Sequence, residues 1–231
     1  TVSDLIGYEE KCPETIKKMS SGYPRFVQHR FLNQLISYEN KITGSDGKRS
    51  FLFSDANHCE NAININKIEN PVIIERDDYT LLQIDEECKD AKCIQSFLQH
   101  TGGSISSRQA EEILIQKGIL ATRENISEQK NADHFARDII AKVHGQGVTS
   151  NGVLISSSGA NAFYSLFWNA QKKFIEKGKK IWIQLGWLYL DTIEVMKLVG
   201  GENNVIHLSN PTDAEELKRI FELYGKNIAG V

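Results

Sequence analysis

Val27, Phe31, Leu35 and Tyr38 recur at helical spacing, which predicts an amphipathic helix running to about residue 42. Before it, Pro13 can open a short helix reaching about residue 18, and Ser20, Ser21 and Gly22 end it. Between the two helices Gly22-Tyr23-Pro24-Arg25 reads as extended or turning chain, because Pro24 disfavours helix at Tyr23. Residues 43–47 form a loop. The middle is less regular. Phe51-Leu52-Phe53 reads as a short buried strand, 55–63 as a helix, Val72-Ile73-Ile74 and 79–84 as strands, and 90–100 as a helix broken by Gly102-Gly103. Ser106 with Gln109 fits a capping box before a helix carrying Ala110, Ile113 and Leu114. A polar loop over 121–132 leads to a helix over 133–144.

From Gly152 the rhythm becomes strand, helix, strand, helix. Val153-Leu154-Ile155 is a strand candidate. A helix follows through Lys177, then the strand Ile181-Trp182-Ile183-Gln184-Leu185, and then a helix over 191–198. Val205-Ile206-His207-Leu208 is a third strand, a helix runs from Pro211 to Tyr224, and residues 228–231 open a fourth strand. Alternation of this kind with apolar strands predicts an α/β fold: a mostly parallel sheet with helices on both faces. The expected division is 1–50, 51–150 (an irregular α/β insertion with helices) and 151–231.

Composition narrows the class. Of 231 residues, 40% are hydrophobic and 25% charged, as in an ordinary globular chain able to bury a core. The net charge of -3 gives no basic field for nucleic acid, and no apolar run reaches membrane-spanning length. Four cysteines without a C-x-x-C pair predict a reduced, cytoplasmic protein with no metal cluster. His58 beside Cys59 is the single adjacent soft pair, and a buried or surface site is the plain account of it. The start at Thr1, without methionine or a signal pattern, suggests a processed or cut N-terminus.

Three places could carry chemistry. Ser156-Ser157-Ser158-Gly159-Ala160 turns a predicted strand into a helix. A helix N-terminus offers unpaired amides and partial positive charge, so the turn could cradle a phosphate; an ordinary serine cap is the alternative. Trp187 and Tyr189 follow the next strand, where a ring could stack on a flat ligand or pack into the core. Arg25, with Tyr23, could hold a phosphate by paired hydrogen bonds or face solvent.

Tyr-x-Arg near the N-terminus, a later Ser-Ser-Gly opening a helix, and a tyrosine after the following strand together resemble the cystathionine γ-synthase group of pyridoxal-phosphate enzymes, which have the fold-type I, aspartate aminotransferase-like large domain. The stretch Gly22-Tyr23-Pro24-Arg25-Phe26-Val27-Gln28-His29 is similar to its fungal-type branch, as are Gly7-Tyr8-Glu9-Glu10 and Ser106-Ser107-Arg108 with Ala110-Glu111. The resemblance is weakest over 44–99 and 121–132.

The resemblance implies pyridoxal 5'-phosphate as cofactor. Amides of Gly159 and Ala160, with Ser158 at the turn, would bind its phosphate, and Tyr189 would stack on its ring and act in catalysis. Tyr23 and Arg25 would reach the neighbouring subunit's phosphate, so that 1–50 is an arm and helix contacting a homodimeric or homotetrameric partner. Segment 151–231 would be the first part of the cofactor-binding domain. Ala160 stands where the family commonly has methionine, and Leu190 and Asp191 where its pattern is glycine-rich. The implied activity is γ-replacement on small amino acids, joining an O-acyl-homoserine to cysteine to give cystathionine. A lyase or O-acylhomoserine sulfhydrylase on the same scaffold remains open, as do a non-catalytic short paralogue and an unrelated nucleotide-binding domain. The family's pyridinium-pairing aspartate and Schiff-base lysine fall beyond Val231, so the chain alone is expected to be a truncated, inactive portion.

Overall fold

The computed structural model describes residues 1–19, 27–45, 47–86, 88–124 and 130–231. It divides into two compact units, Thr1–Arg123 and Glu124–Val231. The expected segments 1–50 and 51–150 both contribute to the first.

The first unit begins with α1 (Val2–Glu9), a helix the apolar spacing did not reveal. Its start is fixed by a reciprocal cap: the Asp4 amide donates to Thr1 Oγ1 at 3.2 Å, and the Thr1 hydroxyl and amino group donate to the Asp4 carboxylate at 2.6 and 2.9 Å. The short α2 (Pro13–Ile16) has proline in its first turn. The next helix, α3 (Arg30–Thr43), buries Phe31, Leu32 and Leu35 and closes on Gly44, whose φ of 62° suits a residue without Cβ.

A three-stranded sheet follows: β1 (Lys48–Phe53), β2 (Val72–Glu75) and β3 (Thr80–Asp85), in the order β1-β3-β2. Both pairings are antiparallel, with Phe53 opposite Thr80 and Glu75 opposite the same residue. The strands expected at 51–53, 72–74 and 79–84 thus form, and their pairing, which the sequence left open, is antiparallel. Phe51-Leu52-Phe53 and Leu81-Leu82 are buried on both faces, so the alternation that marks an antiparallel strand in sequence is missing.

Four helices cover the sheet. Leu52 and Leu81 share one core with Phe31, Leu35, Ile113 and Leu114, residues of α3 and α6 (Ser107–Gln116). On the other side, α4 (Ala56–Asn66) and α5 (Ala91–Thr101) bring Cys59, Ala62, Ile94 and Phe97 into the core. Of the capping box expected at α6, the serine half forms: the Gln109 amide donates to Ser106 Oγ at 3.1 Å, while the Gln109 side chain donates to the Asp78 carbonyl at 2.9 Å instead of returning to Ser106.

One buried charge ties α3 to the sheet. Glu39 is fully buried, and Arg76 donates to its Oε2 from Nε at 3.1 Å and Nη2 at 2.7 Å. Tyr79 donates its hydroxyl to Oε1 at 2.6 Å, and Lys117 Nζ stands 3.8 Å from that oxygen. Burial and this hydrogen bond raise the Tyr79 phenol above its ordinary value, so the tyrosine remains a donor.

The second unit opens with α7 (Ala132–His144). Its Arg137 guanidinium donates to the Val153 carbonyl at 3.1 Å, and its Asp138 carboxylate accepts from Ser150. Then come α8 (Gly159–Ile175), β4 (Ile181–Leu185), α9 (Leu190–Gly200), β5 (Val205–Leu208), α10 (Ala214–Tyr224) and β6 (Ile228–Gly230). The strands form a parallel sheet, β5-β4-β6, as the strand–helix rhythm predicts.

Alternate residues of β4 serve opposite faces. Ile181 and Ile183 pack with Ile220 of α10 and Ile228 of β6. Trp182 meets Phe167 of α8 at 4.7 Å and Phe174 at 5.8 Å between ring centroids, and its indole N–H donates to Gln171. A Cβ at Gly230 would stand 2.6 Å from the Trp182 ring, so this β6 position has no room for a side chain.

The expected strand at 153–155 does not form. A 3-10 turn, Ser150–Gly152, leads into residues 153–156, which have no pairing partner among the described residues. A strand needs a neighbour for its amide and carbonyl groups, and apolar content cannot replace one. Val153 is buried, but Leu154 is 90% exposed. No described helix is long and apolar enough to cross a membrane.

Candidate functional site

The helix α8 precedes β4 and runs against it, so its first turn lies toward the carboxyl end of β4. The β4–α9 loop leaves that same end. Topology therefore places the serine turn and the two aromatic residues on one edge of the parallel sheet, where open α/β sheets carry ligands.

At the turn, Ser158 is the N-cap of α8, with extended backbone, and its Oγ accepts from the Asn161 amide at 3.1 Å. The serine thus satisfies the third amide of the helix. The amides of Gly159 and Ala160 occupy the first two positions, which have no acceptor within the helix. A Cβ built on Gly159 meets nothing within 4 Å, so the approach to these amides is open. The turn is both an ordinary serine cap and a surface that could receive an anion. It follows an unpaired segment, not the strand expected before it.

The loop after β4 is fixed more firmly. Gly186 has φ of +64°, and a Cβ there would lie 3.4 Å from Pro211. Its amide donates to the Leu208 carbonyl at 2.8 Å. Its own carbonyl accepts from Gln184 Nε2 at 2.9 Å and lies 3.0 Å from His207 Nε2. Beyond this anchor Trp187 is 77% exposed and Tyr189 57% exposed, so neither ring is core packing. Tyr189 is the N-cap residue of α9, and the buried Asp191 lies in that helix's first turn.

Ser158, Gly159, Ala160 and Tyr189 therefore share one unit and one sheet edge. Tyr23 and Arg25 lie outside the described residues. Sequence reasoning missed Gln184 and His207. Their signal was a polar residue inside each of two apolar strands, and parallel register sets the two opposite each other.

The soft pair His58 and Cys59 is structural. His58 Nε2 lies 3.0 Å from Thr101 Oγ1, and its ring is tilted against Phe53 and edge-on to Phe97. Burial lowers its pKa from the ordinary 6.5, and burial pushes the neighbouring Cys59 thiol up to about 12, far from nucleophilic. Among the described residues no group of three His, Cys, Asp or Glu side chains could hold a metal ion.

No protein-family model matches the chain, and no solved structure does. A similar protein is the L-2-amino-4-chloropent-4-enoate dechlorinase/desaturase of Streptantibioticus cattleyicolor, 25% identical over 234 residues. The match takes in 100% of this chain and 46% of that enzyme, so the chain spans about half the relative's length. A distant relationship to an enzyme of amino-acid chemistry thus runs through both structural units.

Proposed function

We propose that the chain is the front portion of a pyridoxal-phosphate enzyme acting on 2-amino acids that carry a leaving group on the fourth carbon. The observation that carries this is the open first turn of α8 on the same sheet edge as the exposed Tyr189 ring. The relative's name describes a 2-amino acid with chlorine on its fourth carbon. An O-acyl-homoserine carries its ester on the equivalent carbon. Cystathionine γ-synthase chemistry, γ-replacement by cysteine, is our specific reading. Elimination without replacement, as a lyase would perform, is the second reading and is favoured by the relative's name.

The cofactor, when bound, supplies an electron sink for bonds to the substrate's α-carbon. This chain's part is to bind and orient. Gly159 and Ala160 amides would hold the phosphate with Ser158 at the turn, the Tyr189 ring would stack on the heterocycle, and its hydroxyl would exchange a proton with the substrate. Tyr23 and Arg25 serve a neighbouring subunit's phosphate, which makes a homodimer the smallest active unit and a homotetramer its paired form. Turnover needs more than this chain, because none of its lysines stands in the family's context.

Pyridoxine 5'-phosphate tests the binding half directly, since it lacks the aldehyde that reacts with surface lysines. It should quench tryptophan fluorescence, bind at least about tenfold more tightly than pyridoxine, and be displaced by inorganic phosphate. Ala160→Asp should preserve the helix, where an acidic residue suits the first turn, and abolish that preference for phosphate. Equal binding of phosphorylated and unphosphorylated forms would remove the phosphate cradle. An unaltered preference in Ala160→Asp would move it elsewhere.

A further inference from the structure

We infer that Gln184 and His207 are positioning residues that lock the aromatic loop of the ligand site through one shared acceptor, the carbonyl of Gly186. This rests on the reading of Tyr189 as the ring that stacks on the ligand.

Four observations converge on that peptide. Gln184 and His207 are register partners on neighbouring parallel strands, so their side chains leave the same face of the sheet. Both reach the Gly186 oxygen, at 2.9 and 3.0 Å. A carbonyl oxygen only accepts and has two lone pairs, so the His207 ring carries its hydrogen on Nε2, and two donors saturate the acceptor. The Gly186 amide is held in turn by Leu208, and Pro211 fills the space a side chain would need. The peptide is fixed from its donor side, its acceptor side and its flank.

The expense of this arrangement is visible. Gln184 is 3% exposed in a strand otherwise built of isoleucine, tryptophan and leucine, where an apolar residue would need no partner. Trp187 and Tyr189 lie one and three residues beyond the clamp, and both are largely exposed. A stacking ring on a mobile loop loses affinity to the entropy of ordering it, and clamping the loop's first peptide removes part of that loss in advance.

His207 is the residue to change, because it lies at the exposed edge strand and its replacement opens no cavity in the core. His207→Leu removes one donor, whereas His207→Gln restores an N–H at similar reach. Backbone amide exchange at 187–190, measured without ligand, reads the clamp. Affinity for pyridoxine 5'-phosphate reads its consequence, and far-UV circular dichroism confirms that each variant is folded. In His207→Leu, exchange should accelerate at 187–190 and affinity should fall by about threefold to tenfold, the worth of one hydrogen bond, with both recovered in His207→Gln. Gln184→Met, of similar volume, should act in the same direction. Unchanged exchange in His207→Leu overturns the clamp. Faster exchange with unchanged affinity overturns the positioning role while leaving the cofactor site standing. Absence of pyridoxine 5'-phosphate binding by the unaltered chain overturns the cofactor reading, and with it the purpose assigned to the clamp.

Discussion

Tyr79→Phe removes one oxygen from the first unit and tests whether the buried Glu39 charge is held as the contacts imply. The tyrosine is 3% exposed and its hydroxyl lies 2.6 Å from Glu39 Oε1, so the substitution leaves shape intact and deletes one charge-assisted bond. Such bonds contribute about 1.5–3 kcal/mol each. Arg76 is engaged with the other oxygen, and Lys117, 3.8 Å from Oε1, is the cation placed to move in, which puts the expected loss near the lower end, about 1.5–2 kcal/mol. With a urea dependence of about 1–3 kcal/mol per molar, the unfolding midpoint should drop by about 1 M. All three tryptophans, Trp168, Trp182 and Trp187, belong to the second unit, so the readout is amide exchange in β3 and far-UV circular dichroism. A double-mutant cycle with Glu39→Gln isolates the pair. Coupling of at least about 1 kcal/mol is expected, and additivity within about 0.5 kcal/mol would refute the network.

Three further outcomes follow from the same unit. His58 has its folded pKa lowered by burial, so it is neutral in both states above about 6.5; as pH falls below that value the unfolded chain takes the proton first, and stability should decline at up to about 1.4 kcal/mol per pH unit until the folded ring titrates too. His58→Gln should remove that part of the slope in urea titrations between pH 7 and 5, and an unchanged slope would assign it to other groups. Gly103→Ala should destabilise by about 1–3 kcal/mol, because its Cβ would stand 2.2 Å from His58 Nε2; a neutral melting shift would show that the ring moves freely. Iodoacetamide at pH 8 should alkylate exposed Cys93 well before Cys59, whose thiol at about 12 leaves a thiolate fraction on the order of 10⁻⁴; peptide mapping that finds equal rates would contradict the burial.

How much of this the sequence disclosed depended on whether the controlling contact was local. The serine cap at Ser106 was readable, since it is settled within one turn, whereas the Gln109 side chain turns to Asp78, a partner the local pattern does not show. Of the four strands announced by the strand–helix rhythm after Gly152, three form and are parallel, because buried parallel strands are short apolar runs by nature. In the middle the same signature located the strands but not their direction. Phe51-Leu52-Phe53 looks no different from a parallel strand, and its antiparallel pairing with β3 is decided by a partner about thirty residues away. At 153–155 the error was opposite: the apolar run was real, but pairing needs a neighbour that periodicity does not report. In α1 the capping pair Thr1 and Asp4 was present, yet the helix leaves Val2, Leu5 and Ile6 exposed, so it has no buried stripe to detect.

The candidate site was legible in its tips and hidden in its supports. Serines, a glycine and aromatic residues at a strand's end stand out because their types are unusual there, and the structure keeps Gly159 open and Tyr189 in solvent. Gln184 and His207 are unusual in the same sense, as polar residues within apolar strands. Their meaning arises only when register sets them side by side and both reach one carbonyl two residues beyond Gln184. A buried glutamine in β4 would be a defect if the sheet's sole task were to pack, because an apolar residue would fill the place without needing a partner. Its partner is the peptide from which Trp187 and Tyr189 project, so the polar interruption is best explained by the loop it restrains.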